Sequence, residues 1–538
     1  MMHTLRSVVL PLLEGFSLFL GVWIILSLWA GYAGLLTPVV GLVSLLVTFE
    51  LLKKFPHEET NVPALPHAGM AFLFIVLCMG IVFFGLQGGF DLSADATPSV
   101  ATLILTNQIP STYLPYFNLP LFYQMGLPVI AHQLAGLGIP IHTALWGFSL
   151  IGIALLLTGL MLVGKHIGLS SISVEWIPLV FLTTRLPFYN VLLGEYPWML
   201  AAGLGLMAIH LLQQKSKLGF LLLGAAAVTH PYIGFLNGVA WVLLFRPAWK
   251  NILYTIGGVA LIALPVFVFL FLPFSGLEKI PLAPTALPTL NGLIGNIFLV
   301  GIIPTLFSLA FGIIALYRRE RLTHAEQTLL LIGIGGLIVA VFLNAFIPDL
   351  IIGTKLPAFS LIGVVLLGSH FFGKMVPSKR FRAGAAVLLV TGMLILGTST
   401  SMESYAKGSK SNLEEAQFAQ WLSTYDTRIV PVLFLSDGIG KMAQYSRKIP
   451  ADPRGAHFML TLQFLQTPGA KKLYQQSDDY RALQATRCVS CVPDFLEKYP
   501  MTYVVVNITQ YPPLENAHEI SRRGNFILYE GNLHYLKD

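Results

Sequence analysis

Residues 90–138 read FDLSADATPSVATLILTNQIPSTYLPYFNLPLFYQMGLPVIAHQLAGLG, a stretch too polar and too rich in proline to cross a bilayer, with long apolar runs on either side. No Lys or Arg occurs between Gly89 and Ala144, and the only acids there are Asp91 and Asp95. The pattern predicts an amphipathic or apolar helix from Thr97 to Asn107, a Pro/Tyr-rich turn from Ile109 to Pro120 and a second apolar helix through Leu134, both helices lying at a membrane interface. On a helix, the i, i+4 spacing of Asp91 and Asp95 puts both carboxylates on one face. They could then share a divalent cation such as Mg²⁺ or Mn²⁺, or address one acceptor hydroxyl. Asp95 can equally cap the helix that begins at Ala96, with Pro98 in its first turn. The two roles are compatible.

Outward from this stretch the chain is overwhelmingly apolar. Of 538 residues, 55% are hydrophobic and 11% charged, against a charged share of about 25% in soluble domains. Apolar runs lie near 8–30, 33–53, 67–88, 142–164, 172–189, 193–213, 217–231, 233–247, 251–273, 293–317, 326–347, 351–374 and 381–399. They predict a polytopic α-helical membrane protein with about thirteen spans over residues 1–400. The runs 217–231 and 233–247 are short for a hydrocarbon core of about 30 Å, which suggests a broken or partly inserted pair meeting at Thr229-His230-Pro231-Tyr232. No small-residue cleavage site follows the first run, so it reads as a retained helix.

Charge placement orients the expected spans. With a cytoplasmic N-terminus, the inner connections hold Lys53, Lys54, Lys165, Lys215, Lys217, Arg246, Lys250, Arg318, Arg319, Arg321, Lys374, Lys379, Arg380 and Arg382. The outer connections between residues 31 and 355 hold only Arg185, Lys279 and Lys355. By the positive-inside rule, the 89–141 loop and everything after residue 400 face outward from the cell membrane. The formal net charge of +7 follows from these loops. No basic stripe with interleaved aromatics marks a nucleic-acid surface.

Residues 401–538 change character and predict an extracytoplasmic α/β domain. Asn412 to Tyr425 is amphipathic, Arg428 to Ser436 and Tyr503 to Ile508 read as strands, and Asn525 to Leu536 reads as a terminal hairpin turning at Glu530-Gly531-Asn532. Asp437-Gly438-Ile439-Gly440-Lys441 lacks the Walker spacing and reads as a strand-to-helix turn. Asn507-Ile508-Thr509 is a glycosylation sequon. Cys488 and Cys491 form a CVSC pair that suits a disulfide, half a zinc site or a redox motif. A second zinc-ligand pair is lacking, and a local disulfide is the expectation in an oxidising compartment.

The acidic loop with its Ile-Pro and Tyr-Pro turn resembles the start of GT-C superfamily glycosyltransferases. Gly194-Glu195-Tyr196-Pro197-Trp198 at the head of an apolar run, Thr229-His230-Pro231 between two short ones, and an α/β tail are similar to features of large prokaryotic GT-C-like membrane proteins. The chain departs from them in having Pro98-Ser99 where members often show a His, and in two extra helices before the acidic loop. The resemblance implies transfer of a sugar from a polyprenyl-phosphate-linked donor to a glycan, lipid or protein acceptor at the outer membrane surface. It implies a carboxylate base, for which Asp95 is the candidate with Asp91 as partner or metal ligand, and cations or donors for the leaving phosphate. The outer-face candidates for substrate contact are Arg185, Glu195, Tyr196, His230, Lys279 and Lys355. Four of them have a structural alternative: lipid snorkelling for Arg185, an ion pair with Asp349 for Lys355, a satisfied bundle histidine for His230 and a polar loop tip for Glu195. A lipid or solute transporter, or a non-catalytic subunit of a cell-envelope assembly, are the competing functions. A transporter predicts an internal repeat, which the sequence does not display.

Overall fold

The computed structural model describes residues 2–54, 107–109, 124–184, 186, 196–214, 216–272, 290–346, 352–375, 414–428, 430–436, 446, 448–451 and 468–531. Two hydrophobic cores form, one from residues between Leu10 and Leu367 and another from residues between Ala416 and Tyr529. The first belongs to a helical bundle: α1 (Met2–Tyr32), α2 (Val39–Lys54), α3 (Gly126–Gly136), α4 (Ile141–His166), α5 (Ser171–Leu182), α6 (Tyr196–Gln213), α7 (Gly219–Thr229), α8 (Pro231–Phe245), α9 (Trp249–Val266), α10 (Leu290–Val300), α11 (Ile302–Tyr317), α12 (His324–Phe346) and α13 (Ile352–Met375). Its perimeter is apolar: Leu42, Leu46, Leu253, Ile256, Leu261, Phe342 and Phe346 are exposed. Water would penalise such a surface and lipid would not, so the bundle is that of a multi-pass membrane protein.

Among the described residues five helices are long and apolar enough to cross a membrane, with a bent pair as a sixth. The expected runs 67–88 and 381–399 lie outside the described residues, and the described residues do not confirm the count of about thirteen. The expected single span 293–317 is two helices, α10 and α11, meeting at 104°. Gly301 makes the corner with φ +119°, a backbone region closed to residues carrying a Cβ. A Cβ there would also stand 2.9 Å from the Thr183 carbonyl oxygen.

The short runs form a helical hairpin. α7 ends at Thr229, His230 is extended (φ −154°, ψ 99°), and Pro231 starts α8 at a position where its missing N–H costs nothing. Gly234 packs on Ala227, and further down Gly238 approaches Leu223, so the two arms run antiparallel. Glycine also lets α4 and α6 lie backbone to backbone. A Cβ on Gly152 would meet Met199 C at 2.6 Å, and one on Gly203 would meet the Gly152 carbonyl oxygen at 2.5 Å.

The second core fills a mixed sheet of order β2-β1-β3-β5-β4. Its strands are β1 (Pro431–Leu435), β2 (Ile449–Pro450), β3 (Tyr503–Asn507), β4 (Glu519–Arg523) and β5 (Phe526–Glu530). β1 pairs parallel with β2 and β3, while β5 pairs antiparallel with β3 and β4. Helices α14 (residues 414–425), α15 (Pro468–Thr486) and α16 (Val492–Lys498) supply further buried side chains, among them Phe418, Leu422, Tyr480 and Phe495. The terminal hairpin differs from expectation: β4 and β5 are its arms, and the turn is at Gly524, whose φ of +56° suits glycine. The expected turn at Glu530-Gly531 instead ends β5, with the Gly531 N–H donating to the Thr502 carbonyl at 2.9 Å. Asn507 is buried, and its Oδ1 accepts from the Thr509 N–H (3.1 Å) and hydroxyl (2.7 Å), so this sequon closes a turn.

Candidate functional site

Three helices begin at one end of the bundle, in register with one another. Gly152 packs at Met199 and Gly159 at Leu206, so α4 and α6 run parallel. A cavity of about 10 Å³ lies between α4, α6, α8 and α13, lined by Leu156, Trp198, Ala202, Ile233, Asn237, Phe359 and Ile362 among others. It joins the first turns of α6 and α8 to the second turn of α13. One turn above it stand Tyr196 at the head of α6, His230 at the head of α8 and Lys355 in the first turn of α13. Three of the residues singled out from sequence, 159 positions apart at the extremes, thus share one level of the bundle.

Ile141, the first residue of α4, lies eleven residues before Gly152, whereas Tyr196 lies only three before Met199. At 1.5 Å per residue, α4 extends roughly 12 Å beyond the level of Tyr196. A Cβ on Gly126 would stand 2.6 Å from the Thr229 hydroxyl and 2.8 Å from Thr229 Cα, so the N-terminus of α3 sits directly on the hairpin turn. The turn 107–109 closes on α1 through Ile109 N–H to Gly31 O (2.9 Å) and Leu36 N–H to Asn107 O (3.0 Å).

Local chemistry is legible at each position. The His230 Nδ1 accepts from the Ile233 N–H at 3.4 Å, capping α8 with its own ring. A neutral ring so engaged carries its proton on Nε2 and offers it as a donor. Tyr232 meets the His230 ring edge to face at 6.3 Å. Lys355 is half-buried and close enough to act electrostatically on His230. Tyr196 is fully buried. The helix N-termini at this level and the ammonium of Lys355 together favour an anion.

Asp91, Asp95, Arg185, Glu195 and Lys279 lie outside the described residues. Among the described residues no group of three or more His, Cys, Asp or Glu side chains could hold a metal ion. Cys488 and Cys491 are joined in a disulfide with Cα atoms 5.3 Å apart.

Sequence reasoning passed over two polar clusters at the opposite end of the bundle. His210 Nε2 lies 2.7 Å from Glu14 Oε1, and His210 Nδ1 lies 2.9 Å from His166 Nε2, linking α1, α4 and α6. Glu326 accepts from the Thr323 N–H (2.8 Å), from Lys374 (3.1 Å) and from His370 (3.0 Å), linking the starts of α12 and the end of α13. Their sequence signal was a Glu or His inside an otherwise apolar run, which in a bilayer demands a partner. Asn237, with Oδ1 buried beside the cavity and no partner among the described residues, was also missed.

No protein-family model matches the sequence, and no curated protein matches it. Solved structures do resemble the fold. The arabinofuranosyltransferase AftD from Mycobacteria superposes with a TM-score of 0.52 at 14% identity, over 86% of this chain and 40% of its own. This chain therefore spans less than half the length of AftD. ArnT from Cupriavidus metallidurans gives 0.48 at 13% identity over 86% and 99% of the two chains. The archaeal oligosaccharyltransferase AglB from Archaeoglobus fulgidus, solved with an inhibitory peptide and a dolichol-phosphate, gives 0.44 at 12% identity over 87% and 74%. The chain shares the fold of the arabinofuranosyltransferase AftD over most of its own length.

Proposed function

We propose that this protein is a membrane glycosyltransferase that takes a sugar from a polyprenyl-phosphate-linked donor and passes it to a glycan, lipid or protein acceptor at the end of the bundle where Tyr196, His230 and Lys355 meet. The observation that carries the reading is the convergence of Tyr196, His230 and Lys355 at the heads of three helices, inside a GT-C fold. A leaving phosphate gathers negative charge, and Lys355, the His230 Nε2–H and the helix N-termini stabilise it without reorganising water.

Asp95 serves as the base that takes the acceptor's proton, with Asp91 beside it as partner or as ligand to a divalent cation. Arg185, Glu195 and Lys279 contact donor or acceptor in this reading. This end of the bundle and the α/β domain face outward, as the loop charges imply.

The reading is tested with purified protein in liposomes supplied with polyprenyl-phosphate-linked sugars. Lys355→Met is expected to lower kcat by about 10²–10³, the usual cost of one transition-state donor. Unchanged turnover would remove Lys355 from the phosphate site.

A further inference from the structure

The turn between α15 and α16 holds the CVSC disulfide in an exposed position. Arg487 leaves α15 with φ +49°, residues Val489–Cys491 make one 3₁₀ turn, and Cys491 is the residue from which α16 starts. Cys491 and Ser490 are exposed, and Cys488 is partly so. The Cys488 Sγ lies 3.4 Å from the Ser490 Oγ, and the preceding residue, Arg487, sets its guanidinium over the Tyr511 ring at 6.0 Å.

This bond does little to hold the fold. It spans a sequence separation of three, so it closes almost the smallest possible loop and removes little freedom from the unfolded chain. The two helices it joins are fastened elsewhere. Tyr480 meets Phe495 at 6.3 Å, and Asp479 accepts from Lys498 at 2.6 Å and from the Tyr499 hydroxyl at 2.7 Å. Gln484 Nε2 ties α15 to the Ser436 carbonyl at 3.1 Å. Neither cysteine belongs to the hydrophobic core. A disulfide that is accessible, structurally dispensable and flanked by a cation has the properties of an exchange site.

We propose that Cys488–Cys491 is a reversible thiol–disulfide exchange site for a protein dithiol. A thiolate of the dithiol attacks the exposed Cys491 Sγ, the Cys488–Cys491 bond breaks, and its electron pair leaves on Cys488 as a thiolate. The hydroxyl of Ser490 and the charge of Arg487 stabilise that thiolate before it takes a proton. The dithiol's second thiol then displaces Cys491 from the mixed disulfide. The partner departs as a disulfide, and this chain keeps two thiols, having gained two electrons and two protons. Reduction frees the 3₁₀ turn while both helices stay anchored.

The test uses the full-length protein in detergent, undenatured, equilibrated over a series of reduced-to-oxidised glutathione ratios and separately treated with dithiothreitol. It is then alkylated and digested with trypsin, which releases residues 488–498 with both cysteines in one peptide. The expected result is that both cysteines become alkylated within minutes of dithiothreitol addition, that a glutathione ratio exists at which oxidised and reduced forms coexist, and that the melting temperature of the reduced protein moves little. Alkylation only after denaturant, full oxidation at every glutathione ratio, or unfolding on reduction would each overturn the proposal and leave a structural bond.

Discussion

His210 on α6 and Glu14 on α1 meet at 2.7 Å with both side chains buried, and His166 on α4 completes the chain at 2.9 Å from the same imidazole. Three helices are thereby registered by polar atoms inside an apolar bundle, where such groups are costly unless satisfied. His210→Ala removes the centre of this chain and leaves a carboxyl buried beside the hole. The expected cost is about 3 kcal/mol, read as a lowered melting temperature in detergent. A variant that melts with the wild type would show that the cluster carries no stability.

Close glycine contacts between α4 and α6 make a sharper prediction, because its sign differs between positions. Gly203→Ala puts a methyl 2.5 Å from the Gly152 carbonyl oxygen and must push the helices apart. A loss of about 1–3 kcal/mol or more is expected. Gly257 on α9 has nothing within 4 Å of its would-be Cβ, so Gly257→Ala is expected to leave stability unchanged or raise it by up to about 1 kcal/mol. Equal effects at the two sites would contradict the packing described.

The α/β core has an acid-sensitive lock. Hydrogen bonds from the Arg428 side chain hold the Asp426 carboxyl well below its usual range, against the opposing effect of burial, with further help from the Tyr503 hydroxyl at 2.8 Å. The buried Lys448 ammonium donates to the backbone carbonyls of Asp426 and Arg428 and fastens β2 to this corner. A carboxyl whose folded pKa lies below the unfolded 3.8 contributes stability that is complete above that value and is lost as pH falls through the folded pKa. Asp426→Asn should therefore be less stable than wild type at neutral pH, and the gap should start to narrow as pH falls below about 3.8 and keep closing down to the folded pKa. Hydrogen exchange of the β1 and β3 amides in the full-length protein measures this, and a pH-independent gap would assign the loss to packing alone.

Much of the bundle was readable from apolar run lengths. The run 142–164 became α4 (Ile141–His166), and the short pair became a hairpin turning at His230 because Pro231 admits only a helix start there. What escaped was set by backbone angles that composition does not encode. The kink at Gly301 looked like the middle of one span, since a glycine in an apolar run is usually packed and unremarkable until its φ is known. The terminal hairpin was misplaced because two Gly-Asn pairs, at 524–525 and 531–532, offered equal turn chemistry, and only the cross-strand pairing of Phe526 with Arg523 selects the first. At the site, residue type nominated Tyr196, His230 and Lys355, yet nothing local foretold that they share a level. That depended on α6, α8 and α13 starting in register, a tertiary property.

The most direct measurement for the central claim is sugar transfer by purified wild-type protein and by Asp95→Asn, matched for thermal stability, with polyprenyl-phosphate-linked donors in liposomes. The amide keeps the capping ability of the carboxylate, because Asn caps a helix about as well as Asp, but cannot accept a proton. The account expects product from the wild type and a fall of about 10²–10⁴ in turnover for the variant, the usual worth of a general base. An Asp95→Asn protein that transfers sugar at the wild-type rate would contradict it.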